Sequence, residues 1–143
     1  MPSDAELAAL LTSARTIAVV GLSDRPERDS YRVAAYLQQH GYRIVPVNPE
    51  IPSVLGERAY PDLAHVPREV AIDLVDIFRR SEFVPPVVDA ALARGVPTVW
   101  MQLGVRHAAA AAAARARGVH VVEDACTMAE HRRLNLPDAG GAR

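Results

Sequence analysis

A short apolar run followed by a helical pattern recurs five times in this chain of 143 residues. The runs are TIAVVG (16–21), YRIVPVN (42–48), VAIDLVDIF (70–78), PTVWMQ (97–102) and VHVVED (119–124). The first has no apolar–polar alternation, so it reads as a strand covered on both faces, the kind found in parallel sheets. Parallel neighbours need crossovers, and helical patterns supply them. Ser30 to His40 places Val33, Ala34 and Leu37 on one face, with Gly41 where a left-handed helix end favours glycine. Residues 81–95 carry two prolines near the first helical turn, where their missing N–H groups cost least, and end at Gly95. Residues 105–118 hold seven consecutive alanines, the strongest helix former. The expected fold class is α/β: a Rossmann-like, doubly wound sheet of about five parallel strands with helices on both faces.

The remaining segments fill in that plan. Ser3 and Glu6 form a capping box ahead of Leu7, Leu10 and Leu11, which predicts an opening helix. Thr127 and Glu130 form a second box, opening a last helix through about Leu134. Pro46 removes a ladder donor from the second strand, which belongs near an edge or a strand end. Residues 49–69 contain four prolines and no sustained period, and read as a loop with one helical turn near Asp62–His65.

Composition excludes several classes of chemistry. All sixteen basic residues are arginine, so Schiff-base formation, pyridoxal phosphate attachment and a P-loop lysine are ruled out. The formal charge of −1 argues against nucleic acid or an anionic membrane as partner. No apolar run approaches the roughly 20 residues that span a bilayer. The acidic N-terminus does not read as a signal peptide, and the lone Cys126 allows no internal disulfide, so a cytoplasmic location is expected.

In a sheet of this kind ligands bind beyond the carboxyl ends of the strands, where strand order reverses. Those ends carry Gly21-Leu22-Ser23, Val47-Asn48-Pro49, Asp76-Ile77-Phe78-Arg79-Arg80, Gln102-Leu103-Gly104 and Asp124-Ala125-Cys126. Gly21 permits a tight exit, Ser23 offers a hydroxyl and backbone N–H groups near a helix start, and Arg25 and Arg28 add charge. A dinucleotide site would show more glycines here and an acidic residue ending the second strand. Instead there is one glycine and Asn48. A hydride-transfer reading therefore lacks both of its diagnostic features.

The set VVGLS with its Arg/Pro loop, PVNP, DIFR, WMQLGVRH and EDACTMAEH resembles the small, stand-alone CoA-binding protein family. That family is similar to the first domain of the succinyl-CoA synthetase alpha subunit and of ADP-forming acyl-CoA synthetases. The resemblance covers about residues 6–134 and implies a single CoA-binding, Rossmann-like domain over 1–134; the residues NLPDAGGAR of 135–143 read as a disordered tail. It implies coenzyme A as ligand. Gly21, Leu22, Ser23 and Arg25 would hold the pyrophosphate; Val47, Asn48 and Pro49 would line the adenine and ribose side. Phe78, Arg79 and Arg80 would border the nucleotide, and Gln102 and Gly104 would face the pantetheine arm. The phosphohistidine domain and ATP-grasp region of the ligases have no counterpart in these residues, so a non-catalytic module binding CoA or an acyl-CoA is the leading expectation. The alternatives are an NAD(P)-type oxidoreductase and a ligase-like subunit working with a separate protein partner. Cys126 stands where a CoA thiol would point, and is read first as packing for the final helix. His107 reads as a helix-start residue and His131 as a structural hydrogen-bonding one, since no zinc-type spacing is present.

Overall fold

The computed structural model describes residues 1–140. In chain order the elements are α1 (Asp4–Ser13), β1 (Thr16–Val20), α2 (Asp29–Gln39), β2 (Arg43–Val47), a hairpin of β3 (Ser53–Val54) and β4 (Glu57–Arg58), β5 (Leu74–Ile77), α3 (Val84–Arg94), β6 (Thr98–Met101), α4 (Ala108–Ala116), β7 (His120–Val122) and α5 (Thr127–Arg133). Five strands form one parallel sheet in the order β2-β1-β5-β6-β7. The expected α/β, Rossmann-like architecture is what forms.

Alternation along each strand divides the core into two layers. Ala18, Val20, Val75, Ile77, Val99 and Met101 pack under α3 and α4, while Ile17, Val19, Leu74, Trp100 and Val122 pack under α1, α2 and α5. The alanine run serves the first layer: Ala110, Ala111 and Ala114 are buried, and their small side chains let α4 lie close to the sheet. Burying this apolar surface, at roughly 25 cal/mol per Å², is the main stabilising term.

Local signals explain the element ends. Ser3 Oγ accepts the Glu6 N–H and Glu6 Oε1 accepts the Ser3 N–H, each at 3.2 Å, so the first capping box forms. The second does not. Cys126 is the N-cap of α5, and Thr127 is the first helical residue, its hydroxyl drawn inward to Asp76. Pro46 lies in edge strand β2. Residues 43 and 47 of β2 bond to the β1 side, through Arg43 N–H to Arg15 O and Gly21 N–H to Val47 O. Pro46 faces outward, where its carbonyl accepts the Tyr60 N–H, so its missing donor costs the ladder nothing. Two further expectations change in detail. The third strand begins at Leu74 rather than residue 70, because Asp73 turns its carboxylate to the N–H groups of Arg15 and Thr16 at 3.0 and 2.9 Å. Residues 49–69 hold the β3–β4 hairpin as well as the expected turn at Leu63–His65, which Asp62 caps.

The expected tail is packed as far as the structure describes it; 141–143 lie outside the described residues. Residues 135–140 fold back over the end of α2 as a strap. The Ala139 N–H donates to His40 O at 2.7 Å, and Ala139 is buried. A Cβ on Gly41 would collide with Ala139 O, so the glycine that ends α2 also seats the strap. His131, buried on α5, accepts the Tyr36 hydroxyl at Nδ1 (2.8 Å) and donates from Nε2 to Pro137 O (3.1 Å). His40 Nδ1 bonds the Asp138 carboxylate at 2.8 Å alongside. Accepting the Tyr36 hydroxyl at Nδ1 needs the neutral ring, and burial holds the His131 pKa below the usual histidine value, against the opposing bond to Pro137 O. A depressed histidine pKa gives stability that is present above about pH 6.5 and is lost as pH falls. The melting temperature is therefore expected to drop between pH 7 and pH 5, with lower amide protection, relative to the intrinsic exchange rate, at Leu136, Asp138 and Ala139. His131→Gln should flatten that acid dependence even if it lowers stability at pH 7.

Candidate functional site

The sheet order sets the site. β1 lies between β2 and β5, so the connections leave it in opposite directions and open a crevice above the carboxyl ends of β1 and β5. Gly21 exits β1 at φ +87°, and a Cβ there would land on the carbonyl of Phe78, the residue that follows β5. The Phe78 N–H donates to Val20 O at 2.8 Å, which closes the floor of the crevice. Glycine is required here twice, by conformation and by space.

Beyond Gly21 the chain forms a tight loop into α2. The Ser23 N–H donates to Ser30 Oγ at 3.0 Å, and Ser23 Oγ accepts the Arg25 N–H at 3.0 Å. Ser23 is thus largely spent in shaping the loop, which leaves its own hydroxyl proton for a ligand. A chamber of about 540 Å³ lies against this loop, lined by Gly21, Ser23, Arg25, Arg28, Asp29, Ser30 and Phe78. The start of α2 brings its positive end to the same place. Neither Arg25 nor Arg28 has an ion-pair partner among the described residues.

A second chamber of about 570 Å³ adjoins the first through Asp29 and Phe78. Its inner wall is apolar, with Val33, Val105 and Met128, and Cys126 stands in it. Arg79 and Arg80 are exposed and stack on Phe83, at 4.8 and 5.4 Å from the ring centre. Leu103, 68% exposed, stands on the lip. Burial pushes the Cys126 thiol up, so it is a protonated and weakly nucleophilic group.

The residues singled out in the sequence divide. Gly21, Ser23 and Arg25 line the first chamber, Phe78 lines both, and Arg79, Arg80, Gln102 and Gly104 line the second. Leu22, Val47, Asn48 and Pro49 line neither. Leu22 is fully buried in the core under α2. Asn48 is occupied by the protein: its Nδ2 donates to Leu22 O at 2.9 Å and its Oδ1 accepts the Glu50 N–H at 2.8 Å. It ties the end of β2 to the turn after β1. Gln102 is 4% exposed, and its amide turns inward to Asp76 and Thr127.

The sequence reading named none of Asp29, Ser30, Arg32, Val33, Val105 and Met128 as site residues. The α2 residues among them are placed by the crevice opening along the first turns of α2, and this was legible once α2 was set against Gly21. His107 caps α4 by accepting the Ala110 N–H at 3.1 Å, the helix-start role its position suggested. Asp124, at φ +55°, binds the Gly104 N–H at 2.7 Å and pairs with Arg106, which pins the chamber's outer loop. These bonds hold its carboxyl below the usual range, Gly104 first.

A larger cavity of about 1070 Å³ opens at the opposite edge, between α1 and the α4–β7 turn. It lies at the amino ends of the strands, away from the switch point.

Strand order and a glycine-floored crevice at the switch point define the class, a Rossmann-like binding domain. The chain belongs to the CoA binding domain family, whose model matches residues 15–132. It is 40% identical over 130 residues to the uncharacterized protein YneT of Bacillus subtilis (strain 168), covering 91% of this chain and 95% of YneT. A hypothetical protein from Pyrococcus horikoshii OT3 superposes with a TM-score of 0.89 at 36% identity, over 94% of this chain and 93% of that one. A stretch of 84 residues is 29% identical to an ADP-forming acetate–CoA ligase II of Archaeoglobus fulgidus, covering 57% of this chain and 12% of the ligase.

Gly21→Ala is expected to cost about 2–4 kcal/mol, since it combines left-handed strain with a backbone collision. Urea denaturation measures the loss. An effect below about 0.5 kcal/mol would show that the β1 exit relaxes freely.

Proposed function

We propose that the crevice binds coenzyme A or a simple acyl-CoA, and that the domain acts as a non-catalytic binding module. The observation that carries this reading is the division of the crevice. One chamber is edged by Arg25 and Arg28 at a helix start, and its neighbour has an apolar inner wall. A molecule with phosphates at one end and a long uncharged arm at the other matches that polarity along its length. Membership of the CoA binding domain family supports the same choice of ligand.

In this reading Gly21, Ser23 and Arg25, joined by Arg28, hold the pyrophosphate, and the positive end of α2 adds to their field. Arg79 and Arg80 stand ready for a further phosphate, with Phe78 and Phe83 as flat apolar surfaces beside them. Gln102 and Gly104 form the wall along the arm through packing and backbone, since the Gln102 amide is already engaged. Leu22, Val47 and Asn48 shape the site from behind. No carboxylate ends β2, which removes the usual ribose partner of NAD and a source of repulsion toward a phosphorylated ribose. A separate protein partner would use what this module holds.

Titration calorimetry with CoA, dephospho-CoA and NAD tests the reading. CoA is expected to bind most tightly, dephospho-CoA less so, and NAD at least about tenfold more weakly than CoA, with affinity falling as salt rises. Arg25→Gln should weaken CoA by roughly 10–100-fold, the loss of one charge-assisted contact of about 1.5–3 kcal/mol. No heat with millimolar CoA, or tighter binding of NAD, would overturn the proposal.

A further inference from the structure

Asp76 is the one polar residue of the DIFR run that the binding reading leaves without a task. It sits on the middle strand, β5, completely buried, with its side chain on the α2 and α5 side of the sheet. Its Oδ1 accepts Gln102 Nε2 at 2.7 Å and its Oδ2 accepts the Thr127 hydroxyl at 2.9 Å. Gln102 Nε2 also donates to Thr127 Oγ1 at 2.9 Å, which closes the ring of three side chains. Gln102 lines the second chamber, and Asp76 and Thr127 lie buried behind residues that do. Phe78 to Arg80 follow Asp76, Leu103 and Gly104 follow Gln102, and Cys126 precedes Thr127.

Every partner of this carboxylate is uncharged. Asp76 has no ion pair among the described residues. On the helices packed over its face, Asp29 and Arg32 of α2 pair with each other, and the charged or titratable groups of α5 and its cap are Cys126, Glu130, His131, Arg132, which stacks on Tyr36, and Arg133. Glu130 pairs with Arg133, and His131 is engaged by Tyr36 and Pro137. Beyond β5, Arg79 turns outward onto Phe83. Nothing of positive charge offsets the burial, which pushes the Asp76 carboxyl up to about 7. The two hydrogen bonds from Gln102 and Thr127 oppose that rise without cancelling it.

Protonation cannot leave this ring as it is. With both oxygens already receiving donors, a carboxylic proton needs an acceptor, and a half-turn of the Gln102 amide supplies one in Gln102 Oε1. Proton uptake by Asp76 therefore requires a reorientation of its partners, of the Gln102 amide in the chamber wall or of the Thr127 hydroxyl behind it. Phosphates arriving at the crevice add negative charge on the carboxyl side of the same strand, and this disfavours the ionised form of a nearby buried acid.

We infer that Asp76, acting through Gln102 and Thr127, is a positioning residue of the chamber and takes up a proton when a polyanionic ligand of the CoA type binds. The inference rests on the CoA reading and adds its proton linkage. The sign follows from linkage: a ligand that favours the protonated carboxyl binds more tightly when protons are available, so affinity falls as pH rises through neutrality. The ligand's own phosphate works the other way, because its second ionisation near pH 6 adds charge for the arginines at higher pH.

Calorimetry with CoA in two buffers of different ionisation enthalpy, at pH 6, 7.5 and 8, separates the two effects. Wild type is expected to take up about half a proton more per CoA near pH 7.5 than Asp76→Asn, as a one-unit rise from about 7 requires. The ratio of affinities at pH 6 and pH 8 should be about three- to tenfold larger in wild type. Equal proton counts and equal ratios in the two proteins would overturn the inference while leaving CoA binding intact. Absence of CoA binding at every pH would instead overturn the ligand assignment, and the linkage with it. Should Asp76→Asn fail to fold, the carboxyl carbon of labelled wild-type Asp76 decides. Its resonance is expected to move toward the protonated position when CoA is added at pH 7, and a resonance that stays in place sinks the proposal.

Discussion

The close approach of Gly21 to the carbonyl of Phe78 is the contact on which the rest of this structure depends. It occurs where the chain leaves β1 and where β5 ends, the one place in the sheet where neighbouring strands send their connections opposite ways. A side chain there would hold the two strand ends apart. Without one, the loop after β1 lies low enough for Ser23 to reach Ser30 and for Asn48 to reach Leu22, and so the start of α2 faces the crevice. One missing Cβ thus orders a loop, a helix end and the floor of two chambers.

That contact also accounts for a phosphate-type turn with a single glycine. Further glycines would let a ligand's phosphates touch the backbone directly. Here the loop beyond Gly21 is stiffened by Pro26 and by the Ser23 bonds, and the positive groups stand out from it on Arg25 and Arg28. In the proposed binding mode, reach by side chain replaces approach by backbone. Asp24, Glu27 and Asp29 share the stretch with Arg25 and Arg28, so the arginines stand as individual groups rather than as a net positive patch.

Where residues act through their neighbours in sequence, the chain could be read directly. The apolar run of β1, the Ser3–Glu6 box, the glycines ending α2 and α3, and the outward-facing Pro46 all behave as their local patterns require. The common direction of the strands follows in the same way, since βαβ crossovers make them parallel and bring their carboxyl ends to one edge. What could not be read depends on partners distant in sequence. Thr127 looks like a cap, but Asp76, 51 positions earlier, claims its hydroxyl. Leu22 and Asn48 sit at the carboxyl edge yet serve the core and the loop. The β3–β4 hairpin has two residues in each strand and turns through Leu55 and Gly56, both at positive φ, too short a pattern to show alternation. The strap at 135–140 looks like a polar tail until His131, His40 and Gly41 are seen beneath it.

The two edges of the sheet offer the sharpest contrast. The amino-end cavity is the larger, and the carboxyl-end crevice is the one where glycine, helix start and unpaired arginines coincide. Amide chemical-shift mapping during a CoA titration distinguishes them in a single experiment. The account predicts that shifts concentrate in 21–32, 78–80, 102–105 and 126–129, with Ala9, Ser13 and His120 unmoved. Shifts confined to the α1 and β7 cavity, with Gly21 and Ser23 undisturbed, would contradict it.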